Sequence, residues 1–129
     1  DPEDHDFPGV WHAAVGAILA SRDFGVEDPA VLRAIRIHPT GDAAMTPLEQ
    51  ILFLADYTEP LRAYDGVSEL QFLARADLGA ATRAAIGRKT AYIVESGKPL
   101  HARSQRALQE IEKRRREEAD AGKGKENID

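Results

Sequence analysis

The sequence predicts an all-α protein with one hydrophobic core. Apolar residues recur at helical spacing in most segments, signals that start or stop helices flank those segments, and no segment indicates a β-strand. With 129 residues, of which 43% are hydrophobic, the chain is long enough for one domain and too short for two. We therefore expect a single helical bundle.

The first two helices are indicated by the residues at their ends. Small and apolar residues at helical spacing predict a helix over residues 10–24, and Gly25 is typical of a helix stop. Asp28 and Pro29 supply an N-cap and a proline at the first helical position. This second helix is expected to end at His38-Pro39.

A capping box predicts the start of the third helix. Thr46 can accept from the third backbone amide while Glu49 reaches back to Thr46, and Glu59-Pro60 marks the end of this helix near Tyr57. Downstream, the pattern predicts a short helix over residues 68–74, a long helix over 77–96 and a sparsely anchored, charged helix over 104–119. From about Asp120 the chain lacks apolar residues, so we expect disorder or a linker there.

Composition limits the classes of function. The chain has no cysteine, so a metal site here must use histidine and carboxylate ligands. A formal net charge of -5 argues against broad binding of nucleic acid or anionic membranes. No apolar run is long enough to span a membrane and the N-terminus does not resemble a signal peptide, so we expect a soluble, cytoplasmic protein.

Asp56 is the first candidate for chemistry. It follows Leu48 and Leu52 at intervals of four residues, so it shares a line with two residues expected to face the core. A buried carboxylate must be protonated, paired with a cation or bound to a metal. An ion pair with Arg62 or Arg36 and a metal-binding role are equally compatible with this spacing.

Two histidines can join this carboxylate. His38 ends the second predicted helix on its core-facing side, and His12 begins the first on the side of Val15 and Leu19. Taken singly, each is more simply a helix-end or core histidine. Together, inward-facing ligand types on three successive helices can converge on one point. Imidazoles with a carboxylate suit iron, manganese, cobalt or zinc, which makes His12, His38 and Asp56 a candidate metal site.

The other two histidines are weaker candidates. His5-Asp6 forms a His-Asp doublet, but it stands seven residues before His12 in a segment with Pro8 and Gly9, so we interpret it as a surface feature. His101 lies in a predicted loop with no apolar face. We expect it to be exposed, and a position lining the site is the alternative.

Several motifs resemble the YqeK family of HD-domain proteins. They are Trp11-His12-Ala13, His38-Pro39-Thr40-Gly41 and Leu54-Ala55-Asp56-Tyr57-Thr58-Glu59-Pro60-Leu61-Arg62. The resemblance extends from about Phe7 to about Leu108. It implies that residues 1–108 are the C-terminal part of an HD domain, and that residues 109–129 are a charged helix end with a disordered tail.

The resemblance implies a helical HD fold around two metal ions, with iron expected and manganese or cobalt as alternatives. It also implies symmetrical hydrolysis of diadenosine tetraphosphate and related dinucleoside polyphosphates to nucleoside diphosphates. By position, His12, His38 and Asp56 match metal ligands of the family, and we expect His38 and Asp56 to be catalytic. We expect the following residues to contact the substrate: Thr40, Gly41, Tyr57, Glu59, Arg62 and His101.

The family pattern also contains an upstream histidine and a His-Asp doublet that this sequence lacks, so the predicted HD bundle is N-terminally incomplete. A longer polypeptide, a homodimer or a complementing chain would have to supply them. Without them, the 129-residue chain should bind metal weakly and hydrolyse little or nothing. Two other classes stay open, which are a nucleotide-binding module without catalysis and a helical module that binds a partner through the charged helix after Arg103.

Overall fold

Six α-helices make up most of the described part of the chain. A computed structural model describes residues 1–59 and 65–126, with side chains to residue 124. Two short 3-10 helices, Pro2–Asp4 and Pro8–Val10, precede α1 (Trp11–Phe24), α2 (Pro29–Ile37), α3 (Pro47–Tyr57), α4 (Val67–Ala76), α5 (Leu78–Glu95) and α6 (Ala102–Glu126). These ranges contain no β-strand. The predicted all-α class is confirmed.

The core lies where α3, α4 and α6 meet α5. Helix α1 packs on α2, α2 on α3, and α3 on α5, which also contacts α4 and α6. The core residues are Phe53, Leu54, Leu70, Ala81, Ala85, Ile86, Ala107 and Ile111. Because α5 contributes mainly alanines to this cluster, neighbouring helices can approach it closely.

The predicted helix ends are confirmed at several positions. Gly25 adopts a left-handed conformation (φ 67°) and caps α1, and the Asp28 side chain accepts from the Ala30 amide at the start of α2. Both hydrogen bonds of the capping box are present, since Glu49 N donates to Thr46 Oγ1 and Thr46 N donates to Glu49 Oε1. These local signals fix the boundaries of α1, α2 and α3.

Helix α6 runs beyond the point where the sequence predicts order to end. It continues to Glu126, past Asp120, and the residues that follow Asp120 include no proline to interrupt it. Ion pairs between residues four apart, such as Arg114 Nε to Glu118 Oε1 at 3.1 Å, support its solvated part. This highly charged helix does not resemble a membrane span. None of the described helices is long and apolar enough to cross a membrane.

The inward faces predicted for α1 and α3 are partly wrong. His12 and Val15 are exposed, because α1 is covered on the side that meets α2, where Ala13 is buried. On α3 the buried line runs through Glu49 and Phe53, whereas Leu48 is exposed. An amphipathic stripe is wide enough to include either line, so tertiary neighbours decide which one is buried.

Candidate functional site

The structure brings the imidazoles of His12 and His38 together. His12 lies in the first turn of α1 and His38 directly follows α2, and these two helices pack against each other. The ring centroids are 5.3 Å apart, with an interplanar angle of 73°. His12 is exposed and His38 half-buried. Two ligand-type nitrogens therefore share one edge of the α1–α2 pair.

Both rings are held through the same nitrogen. His12 Nδ1 lies 3.0 Å from Gly9 O, and His38 Nδ1 lies 2.6 Å from Ile35 O. A carbonyl oxygen can only accept, so Nδ1 must carry the proton in each neutral ring. This leaves the lone pair on Nε2, which is the arrangement seen when a metal-binding histidine is oriented by a backbone carbonyl.

We predict that neutral His12 and His38 are both Nδ1–H tautomers in this chain. Long-range proton–nitrogen NMR correlations in alkaline buffer would measure this, because the two ring nitrogens have separate shifts in each tautomer. His101 is the internal control, because its Nδ1 accepts from Arg103 N and its Nε2 lies 2.8 Å from Asp4 Oδ1, which demands the Nε2–H tautomer. An Nε2–H tautomer at His12 and His38 would contradict the geometry.

The third predicted ligand stays a prediction. Asp56 is half-buried near the end of α3. Across residues 1–59 and 65–124, no three His, Asp or Glu side chains lie close enough together to hold a metal. The donor chemistry of the two free Nε2 atoms fits a transition metal, and it accounts for two ligands of such a site.

Thr40 and Gly41 have structural roles in the turn after α2. Thr40 is 6% exposed, and its hydroxyl accepts from Arg103 Nε at 3.0 Å and donates to Gly41 O at 2.9 Å. Gly41 has φ 66°, and its amide donates to Ile37 O at 2.8 Å. Only glycine adopts this backbone conformation without strain. The Thr40 hydroxyl is thus already engaged inside the protein, and its expected contact with phosphate stays a prediction.

The remaining predicted positions lie at or beyond the end of α3. The Tyr57 ring stacks on Phe53 with centroids 6.3 Å apart. Glu59 is half-buried just after α3. Arg62 lies outside the described residues. The substrate-side roles of Tyr57, Glu59 and Arg62 therefore stay predictions.

The expectation that His101 is exposed is wrong. The residue is 4% exposed, with Nε2 2.8 Å from Asp4 Oδ1 and Nδ1 accepting from Arg103 N at 3.0 Å. Phe7 packs on its ring with centroids 4.8 Å apart. Because residues 1–10 fold over the start of α6, both ring nitrogens are used within the protein. The role of His101 in substrate binding stays a prediction, and neither of its ring nitrogens is free to make that contact.

A network of charged residues around the turn after α2 was not predicted from the sequence. Asp42 pairs with Arg33 Nη2 at 3.1 Å and with Arg106 Nε at 3.1 Å, and Arg33 also pairs with the buried Glu49. Arg106 extends this network to Glu3, and its hydrogen bond lowers the pKa of the Glu3 carboxyl. These ion pairs hold Asp42, which lies beyond the turn of residues 38–41. Their partners are too distant in sequence to be recognised by spacing.

Bacterial tetraphosphatases are similar to this chain in sequence. The chain is 42% identical over 97 residues to the symmetrical bis(5'-nucleosyl)-tetraphosphatase of Bacillus subtilis, a match that covers 75% of this chain and 52% of that protein. A protein of the same name from Halalkalibacterium halodurans is 38% identical over 92 residues, which cover 71% of this chain and 49% of the relative. The predicted family resemblance is confirmed. The chain spans about half the length of these curated relatives, and no family model matches it.

The fold is also shared with a solved structure. A protein from Clostridium acetobutylicum, described as a predicted HD superfamily hydrolase involved in NAD metabolism, superposes with a TM-score of 0.80 at 34% identity. The match covers 88% of this chain and 60% of that protein. The described helices therefore have the fold of an HD superfamily hydrolase. That fold implies dependence on a divalent metal, and the predicted choice of iron, manganese or cobalt stays open.

Proposed function

We propose that this chain is part of a metal-dependent phosphohydrolase that cleaves diadenosine tetraphosphate and related dinucleoside polyphosphates symmetrically to nucleoside diphosphates. Similarity to the symmetrical tetraphosphatases supports the substrate class and the reaction. The observation in this structure that carries the proposal is the pair of histidines with both Nε2 lone pairs free. Histidines that bind a metal through one ring nitrogen are commonly oriented in this way, with the other ring N–H donated to a backbone carbonyl.

The residues of this chain would act by binding and orienting. Nε2 of His12 and Nε2 of His38 would each donate a lone pair to a metal, while Gly9 O and Ile35 O keep the rings in place. We propose the Asp56 carboxylate as the third ligand. When bound, a pair of metal ions lowers the pKa of a water and neutralises charge on the phosphate. Arg62 is proposed to bind phosphate oxygens through two parallel hydrogen bonds.

The relatives are about twice as long as their match to this chain, so part of the site is proposed to lie in the remaining half. We expect a longer form that restores this half to retain metal through purification and to hydrolyse diadenosine tetraphosphate. This chain alone is expected to bind metal weakly and to show little or no turnover. The predicted homodimer or complementing chain, and the cytoplasmic location, stay predictions.

The experiment compares the two forms directly. Metal content is measured on both proteins, and each is then assayed on diadenosine tetraphosphate with iron, manganese or cobalt added. Two molecules of nucleoside diphosphate per substrate are the expected products. A longer form without metal and without turnover under all three conditions would refute the proposal. Tight nucleotide binding without turnover would instead indicate the non-catalytic class.

A further inference from the structure

Side chains of α5 and α6 donate hydrogen bonds to the turn that follows His38. Lys89 of α5 donates to Pro39 O. At the start of α6, Arg103 Nε donates to Thr40 Oγ1 at 3.0 Å and Ser104 Oγ donates to Thr40 O at 2.9 Å. Consecutive α6 residues therefore contact both the hydroxyl and the carbonyl of one threonine, two residues beyond a proposed metal ligand.

Arg103 is itself rigidly held. It is 2% exposed, and its other guanidinium nitrogens donate to Asp4 Oδ1 at 2.7 Å and to Asp1 Oδ2 at 3.0 Å. The planar guanidinium presents its donors in a fixed fork, so contacts on one side restrict the direction of the others. The Nε–H is thereby directed at Thr40. The buried charge is matched by the two carboxylates.

We propose that Arg103 is a positioning residue that holds His38 at its place beside His12 by fixing the hydroxyl of Thr40. The inference rests on the proposed function for its consequence, since a displaced His38 would direct its Nε2 lone pair away from a shared metal. Arg103 touches neither histidine ring and acts through the turn of residues 38–41. Groups that hydrogen-bond a metal ligand directly change metal affinity by about 10-fold to 100-fold when replaced, and because Arg103 acts through Thr40 we expect the lower end of that range.

The first test uses this chain without metal. Arg103→Lys keeps a cation beside Asp4, so the buried carboxylate stays paired, but it removes the Nε–H that meets Thr40 Oγ1 and replaces the rigid fork by a flexible point charge. Thr40→Val removes the acceptor at nearly constant shape. Both substitutions are expected to change the His38 ring proton shifts and to weaken its nuclear Overhauser contacts to His12. The double variant is expected to match Thr40→Val, which also loses the bond from the hydroxyl to Gly41 O. Thr40→Ser should restore the His38 signals.

Arg106→Lys is the matched control for the ring measurement. Arg106 also joins α6 to the N-terminal segment, through Glu3, and it pairs with Asp42, but it does not contact Thr40. We expect the His38 signals of this variant to match those of the unmodified chain. If Arg103→Lys moves them no more than Arg106→Lys does, or if the effects of Arg103→Lys and Thr40→Val add, the positioning role is excluded.

The second test uses the longer form and measures metal affinity by competition with a chelator. Arg103→Lys and Thr40→Val are each expected to weaken affinity by about 10-fold, and the double variant by no more than Thr40→Val alone. Unchanged affinity would overturn the inference while leaving the proposed function intact. If the longer form bound no metal at all, the proposed function would fail, and the ring measurement on this chain would still decide whether Arg103 positions His38.

Discussion

Replacing His38 by asparagine in the longer form is expected to remove metal binding. Turnover of diadenosine tetraphosphate should fall by more than about 100-fold, which exceeds the usual effect of replacing a residue that only hydrogen-bonds a metal ligand. The asparagine amide can still donate to Ile35 O, as His38 Nδ1 does at 2.6 Å. The backbone turn is therefore preserved. What is lost is the Nε2 lone pair, for which the shorter side chain has no substitute.

His5→Asn is the matched control for this variant. His5 is exposed and belongs to the His5-Asp6 doublet, which we interpreted as a surface feature. Metal content by elemental analysis and steady-state turnover should both equal those of the unmodified longer form. A His38→Asn protein that kept its metal, or an equal loss in His5→Asn, would show that His38 is not a ligand.

Elements whose signals are local were predictable from the sequence. The capping box of Thr46 and Glu49 is complete within four residues, and both of its hydrogen bonds form. Gly25 and Asp28 likewise act on backbone groups within a few residues of themselves. The order of the helices and most of their ends follow from such signals. The pairing of His12 with His38 was also predictable, because both lie at the ends of adjoining helices.

Contacts between distant residues were not predictable in the same way. His101 was expected to be exposed because its neighbours show no apolar face, yet Asp4, 97 residues earlier, buries it. The same segment supplies the carboxylates that bind Arg103. Nothing in the spacing of these residues indicates that they meet. A single sequence therefore does not reveal the residues that position other site residues, because their partners are distant in sequence.

The face of α3 shows a second limit. Leu48, Leu52 and Asp56 form one line along the helix, and Glu49 and Phe53 form the neighbouring line. Burial of Glu49 is compatible with its charge because Arg33 and the Thr46 amide satisfy its oxygens. The sequence alone favours the line with two leucines. Helix α2 places Arg33 beside Glu49, and this ion pair allows the line of Glu49 and Phe53 to be buried instead.

Replacing Phe53 by alanine is expected to lower the free energy of unfolding of this chain by about 3–5 kcal/mol, as for other fully buried aromatic side chains. Phe53 is 1% exposed and belongs to the core between α3 and α5. A loss of this size is a large fraction of the roughly 5–15 kcal/mol that stabilises a typical domain. Urea unfolding followed by circular dichroism would measure it as a lower midpoint with an unchanged slope.

Phe72→Ala is the matched control, because Phe72 is 77% exposed and its replacement should change stability by less than about 0.5 kcal/mol.

The Phe53→Ala substitution should also affect the candidate site. The Phe53 ring lies beneath Gly41, where an added Cβ would be 3.5 Å from Cε2, and Lys89 Nζ lies 5.4 Å from its centroid. Lys89 in turn holds Pro39 O. Phe53→Ala should therefore broaden the His38 ring signals at temperatures where the chain is still folded. Similar losses of stability in Phe53→Ala and Phe72→Ala would contradict this placement of the core.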